Sequence, residues 1–137
     1  MQILINTAEA KSIINNAFVN KADTLYYHMS DKVYRLPTLK QITEILSSFV
    51  VNKYIEEIAD CDNRTLLLAS KFVEQGLAIG MIDVNQLVYG VNDPQYRHQI
   101  CMTILADTKK VVVIEPETKQ VYTPNDLLRL TFVDFRT

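Results

Sequence analysis

Residues 98–118 read HQICMTILADTKKVVVIEPET, and the fold class turns on them. His98 to Leu105 and Val111 to Ile114 are apolar and β-branched runs, separated by the turn-forming Asp107-Thr108-Lys109-Lys110. That pattern predicts two antiparallel strands joined as a hairpin. Pro116 biases the backbone of Glu115 to an extended form, so the second strand should end at Glu115. His98 opens the first strand, directly after a loop that holds Pro94. Both residues therefore stand at the rim of a sheet. Closing the hairpin brings His98 opposite the Glu115 region, allowing for a register shift or a bulge.

Upstream of the hairpin the texture is different. Thr7 to Asn20 predicts a helix capped by Thr7, with Ile13, Ile14, Ala17 and Phe18 as its apolar stripe. Asp23 to Leu36 predicts a hairpin or two short extended pieces rich in tyrosine. Pro37-Thr38 opens a second helix through Phe49, with Leu39, Ile42, Ile45, Leu46 and Phe49 on one face. A third helix follows Asp60-Cys61-Asp62-Asn63. It carries Leu66, Leu67, Leu68, Ala69, Phe72 and Val73 to a stop at Gly76, apolar over the wide arc of a centrally buried helix. Leu77 to Asp83 and Gln86 to Tyr89 are extended, and Gly80 marks a bulge or a close backbone approach. Helices first and antiparallel strands afterwards argue for an α+β domain.

Composition narrows the function classes. The 137 residues carry a formal charge of -2, with only three glycines, two cysteines and two histidines. One domain fits that length. The charge gives no basic footprint for nucleic acid. Neither GxGxxG nor GxxxxGK[ST] occurs, which removes the main support for a nucleotide fold. No run approaches the length of a membrane span, and Met1 to Asn6 lacks the basic start of a secretory signal. The expectation is a reduced, cytoplasmic domain without membrane or nucleic-acid partners, whose cysteines form no disulfide framework. Two Cys and two His without CxxC or HxxxH spacing also argue against zinc.

The chemistry concentrates in three residues. Cys61 stands at a helix start, where unpaired N–H groups and the macrodipole favour a thiolate. His98 could face that thiol with one ring nitrogen, and Glu115 could orient the ring through the other. These are the nucleophile, base and orienter roles of a cysteine triad. The plain alternatives are a cysteine serving as a small hydrophobe, a structural histidine and a polar turn. Asp60 and Asp62 beside the thiol oppose its ionisation. A bound cation would relieve that, with Asp60, Asp62 and Asn63 as oxygen ligands and Glu56 or Glu57 contributing. The competing reading makes the same residues a cap on the helix. Cys101, between Ile100 and Met102, reads as core, and His28 among tyrosines as structural.

Asp60-Cys61-Asp62, the helix after it, His98, and Val113-Ile114-Glu115-Pro116-Glu117-Thr118 together resemble a known family. It is the papain-like domain at the C-terminus of the Marasmius oreades agglutinin, with its small phage and bacterial relatives. The match covers roughly residues 54–122, over half the chain. The resemblance implies a papain-like α+β fold, its Cys-bearing central helix packed on an antiparallel sheet. It also implies Cys61 as nucleophile, His98 as base and Glu115 as orienter. Residues 1–53 then form an N-terminal helical and hairpin region, 54–122 the papain-like core and 123–137 a C-terminal segment, all of one domain. The implied activity is that of a cysteine hydrolase, most simply a peptidase, on protein or peptide substrates. It needs no organic cofactor, and calcium is implied by the agglutinin relative. Amidase or transglutaminase-like acyl transfer, or a phage accessory module that only keeps the fold, are the alternatives. A phage-encoded chain would work in the host cytoplasm, and a shallow site in so short a chain suggests a homo-oligomer or one completed by a partner. Two departures stand out: Glu117 replaces the family's glutamine, and the nearest glutamine upstream of Cys61, where an oxyanion-hole donor belongs, is Gln41.

Overall fold

The computed structural model describes residues 2–19, 26–51, 61–87, 98–124 and 127–136. Its elements in chain order are β1 (Ile3–Asn6), α1 (Thr7–Ala17), β2 (Tyr26–Met29), β3 (Val33–Leu36), α2 (Leu39–Ser48), α3 (Cys61–Glu74), β4 (Ile79–Leu87), β5 (His98–Ile104), β6 (Val111–Glu115), β7 (Gln120–Tyr122) and β8 (Leu127–Arg136). The fold is α+β. β1 and β3 form a small antiparallel pair, and the other strands form one sheet in the order β2-β8-β4-β5-β6-β7.

Strand alternation turns this sheet into the middle layer of three. Ile100, Met102 and Ile104 of β5, with Val111 and Val113 of β6, pack with Ala10, Ile14 and Phe18 from α1 and with Ile5, Tyr34 and Leu36 from the small pair. The intervening residues Cys101 and Ile114 pack on the opposite face with α2 and α3. A strand sends successive side chains to opposite faces, so a sheet covered on both sides has apolar residues at both parities. The Val-rich run at 111–114 has that character. The residues before position 50 thus supply the cover of one face, through α1 and the β1–β3 pair, and part of the other, through α2.

The local structure follows from local chemistry. Thr38 caps α2 by a capping box: its hydroxyl accepts the Gln41 amide at 3.1 Å, and the Gln41 side chain accepts the Thr38 amide at 2.9 Å. Such caps contribute about 1 kcal/mol. Ile42, Ile45, Leu46 and Phe49 are buried as their spacing requires, whereas Leu39 at the first turn is exposed. α3 ends in a Schellman-type arrangement: the Leu77 amide bonds the Phe72 carbonyl and the Gly76 amide bonds that of Val73. Gly76 has φ +68°, a region that favours glycine, and Leu77 packs in the same cluster as Phe72. The Arg35 guanidinium donates to the carbonyl of Gln75, placing positive charge at the helix C-terminus.

Some expectations are corrected, and others left with two alternatives are narrowed to one. The cap of α1 is Asn6, whose side chain accepts the Glu9 amide at 2.8 Å. Thr7 instead turns its hydroxyl to the Asp31 carbonyl at 2.7 Å, tying α1 to the start of β3. β2 and β3 are separate extended pieces, not a hairpin, because β3 pairs with β1 and β2 with β8. The β2–β8 pairing is parallel, so the main sheet is antiparallel only from β8 through β7. β8 lies within the segment after residue 122, which carried no predicted element, and it occupies an interior place in the sheet. α3 is not apolar-buried all round: Arg64, Thr65, Leu68, Ala69 and Phe72 face inward, while Leu66, Leu67 and Val73 are exposed. Gly80 is a close approach and not a bulge, since a Cβ there would stand 2.4 Å from Met102 Sδ. The irregular pairing of β4 comes later, between Asp83 and Leu87.

Candidate active site

Three element ends carry the residues singled out in the sequence. Cys61 is the first residue of α3, His98 the first of β5 and Glu115 the last of β6. The backbone is described at all three; the side chains of Cys61, His98 and Asp62, and the whole of Asp60, Glu56 and Glu57, lie outside what the structure describes. The site is therefore built from the described groups around them.

Glu115 is buried at 6 % exposure. Its Oε1 accepts the backbone amide of Glu117 at 3.2 Å, and its carbonyl accepts the Lys119 amide at 2.8 Å. Lys119 takes φ +62° to close this turn. The buried carboxylate is thus held by the turn that follows it, and Pro116 keeps the entry to that turn extended.

α3 and β5 are joined close to their first residues. The Thr65 hydroxyl, fully buried, donates to the Gln99 carbonyl at 2.9 Å. The Cys101 thiol reaches the Thr65 carbonyl at 3.5 Å. The Gln99 side chain donates to Asp83 on β4 at 3.0 Å, which extends the linkage across the sheet. A fourth tie comes from Arg64, whose guanidinium lies 3.1 Å from the Glu117 carboxylate. One turn of helix is thereby bonded both to the start of β5 and to the turn after β6.

The register sharpens the hairpin. Cys101 pairs with Ile114 and Met102 with Val113, so continuing the ladder sets Ile100, not His98, across from Glu115. The paired residues stop at Cys101, and His98 instead pairs with Val84 of β4. Positions 98, 100 and 115 belong to one alternating set and Cys101 and Ile114 to the set that packs on α3, so the regular ladder by itself assigns positions 98 and 115 to the sheet face opposite that helix and does not bring them together with Cys61.

Cys101 is the described free cysteine, and it is fully buried. Burial pushes its thiol far up, and the neighbouring Glu115 carboxylate adds to the effect. A thiol held protonated has little nucleophilic character, as its core reading requires. Gln41 is committed to the cap of α2, so its side-chain oxygen is already in use. Asn63 is half-buried. Among the described residues no three His, Cys, Asp or Glu side chains gather as a metal would need. His28 is exposed on β2, where it pairs in register with Asp134.

Sequence reasoning missed Arg64. The signal was present: it sits on the same inward stripe as Thr65, Leu68, Ala69 and Phe72, where a charge requires a partner.

No family model matches the chain, and no curated protein does. Among solved structures, the chain in "PSL1a-E64 complex" shares the fold with a TM-score of 0.81 at 15% sequence identity. The likeness covers 96% of this chain and 51% of that one, so the protein spans about half the length of the structure it matches. At that identity the likeness is one of fold: the papain-like α+β arrangement, with the helix that begins at Cys61 laid on the sheet.

Proposed function

We propose that the protein is a papain-like cysteine hydrolase that cleaves peptide bonds, with Cys61 as nucleophile, His98 as base and Glu115 as the orienting carboxylate. The observation that carries the reading is the joining of α3 to β5 by the Thr65–Gln99 bond, beside a buried Glu115 at the end of the neighbouring strand. It ties the helix that begins at Cys61 to the strand that begins at His98, in a fold shared with the chain of "PSL1a-E64 complex".

In this reading His98 takes the Cys61 proton, and the thiolate adds to the scissile carbonyl carbon. The tetrahedral intermediate collapses as the C–N bond breaks, and His98 returns the proton to the leaving amine. Water, deprotonated by the same imidazole, then attacks the thioester carbonyl and releases the acid and the thiol. Glu115 fixes the ring and supports its charged form. An amine in place of water gives acyl transfer by the same steps. Calcium held by Asp60, Asp62 and Asn63 belongs to the proposal as a structural ion; a melting temperature unchanged by calcium or chelator removes it.

The rival reading, an interaction module without catalysis, draws on the exposed Leu66, Leu67 and Val73 along the outer side of α3. Alkylation decides between the two. Treated with iodoacetamide at pH 6 and mapped by peptide mass, a catalytic Cys61 reacts on the order of 100-fold faster than an ordinary thiol, while buried Cys101 stays unmodified. Equal inertness of both cysteines in the folded protein refutes the hydrolase.

A further inference from the structure

We infer that Arg64 and Glu117 form a positioning clamp that sets the Cys-bearing helix against the Glu115 carboxylate. The inference rests on the hydrolase reading above and names residues that reading does not use.

Glu117 is bonded twice, in two directions. Its backbone amide donates to Glu115 Oε1 at 3.2 Å, and its side chain meets the Arg64 guanidinium at 3.1 Å. One residue thereby links the buried carboxylate to the helix. Arg64 lies three positions after Cys61, on the inward stripe of α3, and its side chain is only 6 % exposed; that of Glu117 is 56 % exposed. The asymmetry is informative. A half-exposed carboxylate contributes little to stability through such a pair, yet a buried guanidinium must be met by acceptors. The turn is therefore held where Arg64 requires it, and the helix where Glu117 requires it. The tight closure of the turn by Lys119 at φ +62° transmits the constraint to Glu115.

The Glu-for-Gln departure in the Glu-Pro-Glu-Thr segment acquires a role in this arrangement. A glutamine would also offer Arg64 an oxygen, so the position demands an acceptor first and a charge second. Misplacing a catalytic group by about 1 Å can lower a rate on the order of 100-fold, and a clamp at the turn of Glu115 controls that distance.

The test is the pH profile of Cys61 alkylation by iodoacetamide, mapped by mass, in the full chain and its E117A, E117Q and R64K variants. Protection of Cys101 in each variant reports that the fold is intact. In E117A the acid limb should move up by about one pH unit, and the rate at pH 6 should fall roughly tenfold. E117Q should stay within about threefold of the parent because its amide oxygen still accepts. R64K, which keeps charge but loses the planar fork, should fall between. An E117A profile that superimposes on the parent overturns the clamp and leaves the hydrolase standing. Equal damage in E117A and E117Q also overturns it, since charge rather than placement would be at stake. A parent protein in which Cys61 titrates as an ordinary thiol removes the hydrolase and the clamp together. If E117A does not fold, R64K decides by the same comparison.

Discussion

Replacing Thr65 by Val isolates the bond that joins α3 to β5. The two side chains have nearly the same shape, so packing against the core is retained and only the hydroxyl is lost. The Thr65 hydroxyl donates to the Gln99 carbonyl at 2.9 Å from a fully buried position. A net hydrogen bond is worth about 1 kcal/mol, and a carbonyl left short of a donor adds to the cost, so T65V should lose about 1–2 kcal/mol. With an unfolding entropy of about 2.1 cal/mol/K per residue, 137 residues give roughly 0.29 kcal/mol/K. The loss then lowers Tm by about 3–7 °C. Calorimetry reads the shift. Hydrogen exchange locates it: protection should weaken at the first residues of β5 and persist at Val113 and Ile114, which are held by both neighbouring strands. A T65V protein that melts at or above the parent temperature refutes the idea that this bond fastens helix to strand.

Other consequences can be checked beside it. L68A should destabilise by about 2–5 kcal/mol and L66A by no more than about 0.5, because one leucine is fully buried and the other 56 % exposed; urea midpoints distinguish them, and equal losses would contradict the inward stripe assigned to α3. Cys101 predicts a pH effect. Its thiol stays protonated in the folded protein while the unfolded chain ionises near pH 8.5, so the unfolded state binds fewer protons and stability falls as pH rises above that value. Between about pH 9 and 10 the parent should lose about 1.2 kcal/mol more than C101A does; parallel stability curves for the two proteins would show that the buried thiol does not titrate in this way.

The elements whose chemistry is local were legible in the sequence. Pro37-Thr38 with Gln41 three residues on is a complete start signal for α2, and Gly76 is a complete stop signal for α3. The hairpin of β5 and β6 announces itself through its turn. The cap of α1 was misplaced by one residue because Asn6 and Thr7 can both cap. What decides between them is the Asp31 carbonyl, a distant partner that claims the threonine. The exposed half of α3 was hidden for a related reason: leucines surround the helix, and only the sheet reveals which of them meet it. β8 went unread although Leu127 to Phe135 is rich in β-branched and aromatic residues, and β7 is too short to declare itself. At the candidate site, Cys61, His98 and Glu115 were named from element ends and a resemblance, and their catalytic roles belong to the proposal. Arg64 and Glu117 could not be paired by spacing, since the bond that joins them crosses between elements 53 positions apart in the chain.

The place of β8 in the sheet bears on how the protein is made. β8 lies between β2 and β4, so residues 127–136 separate strands that the ribosome releases much earlier. A nascent chain that has reached Tyr122 has the hairpin, α2 and α3, yet β2 has no strand to pair with and β4 presents an open edge. Pairing residue 26 with residue 132 closes a long loop, a slow event. Until it happens the open edge of β4 can pair with another chain, which is the usual route to aggregation during synthesis. Slowing translation just before codon 127 should therefore lower the soluble yield more than an equal pause before codon 61, where no central strand of the sheet is yet exposed.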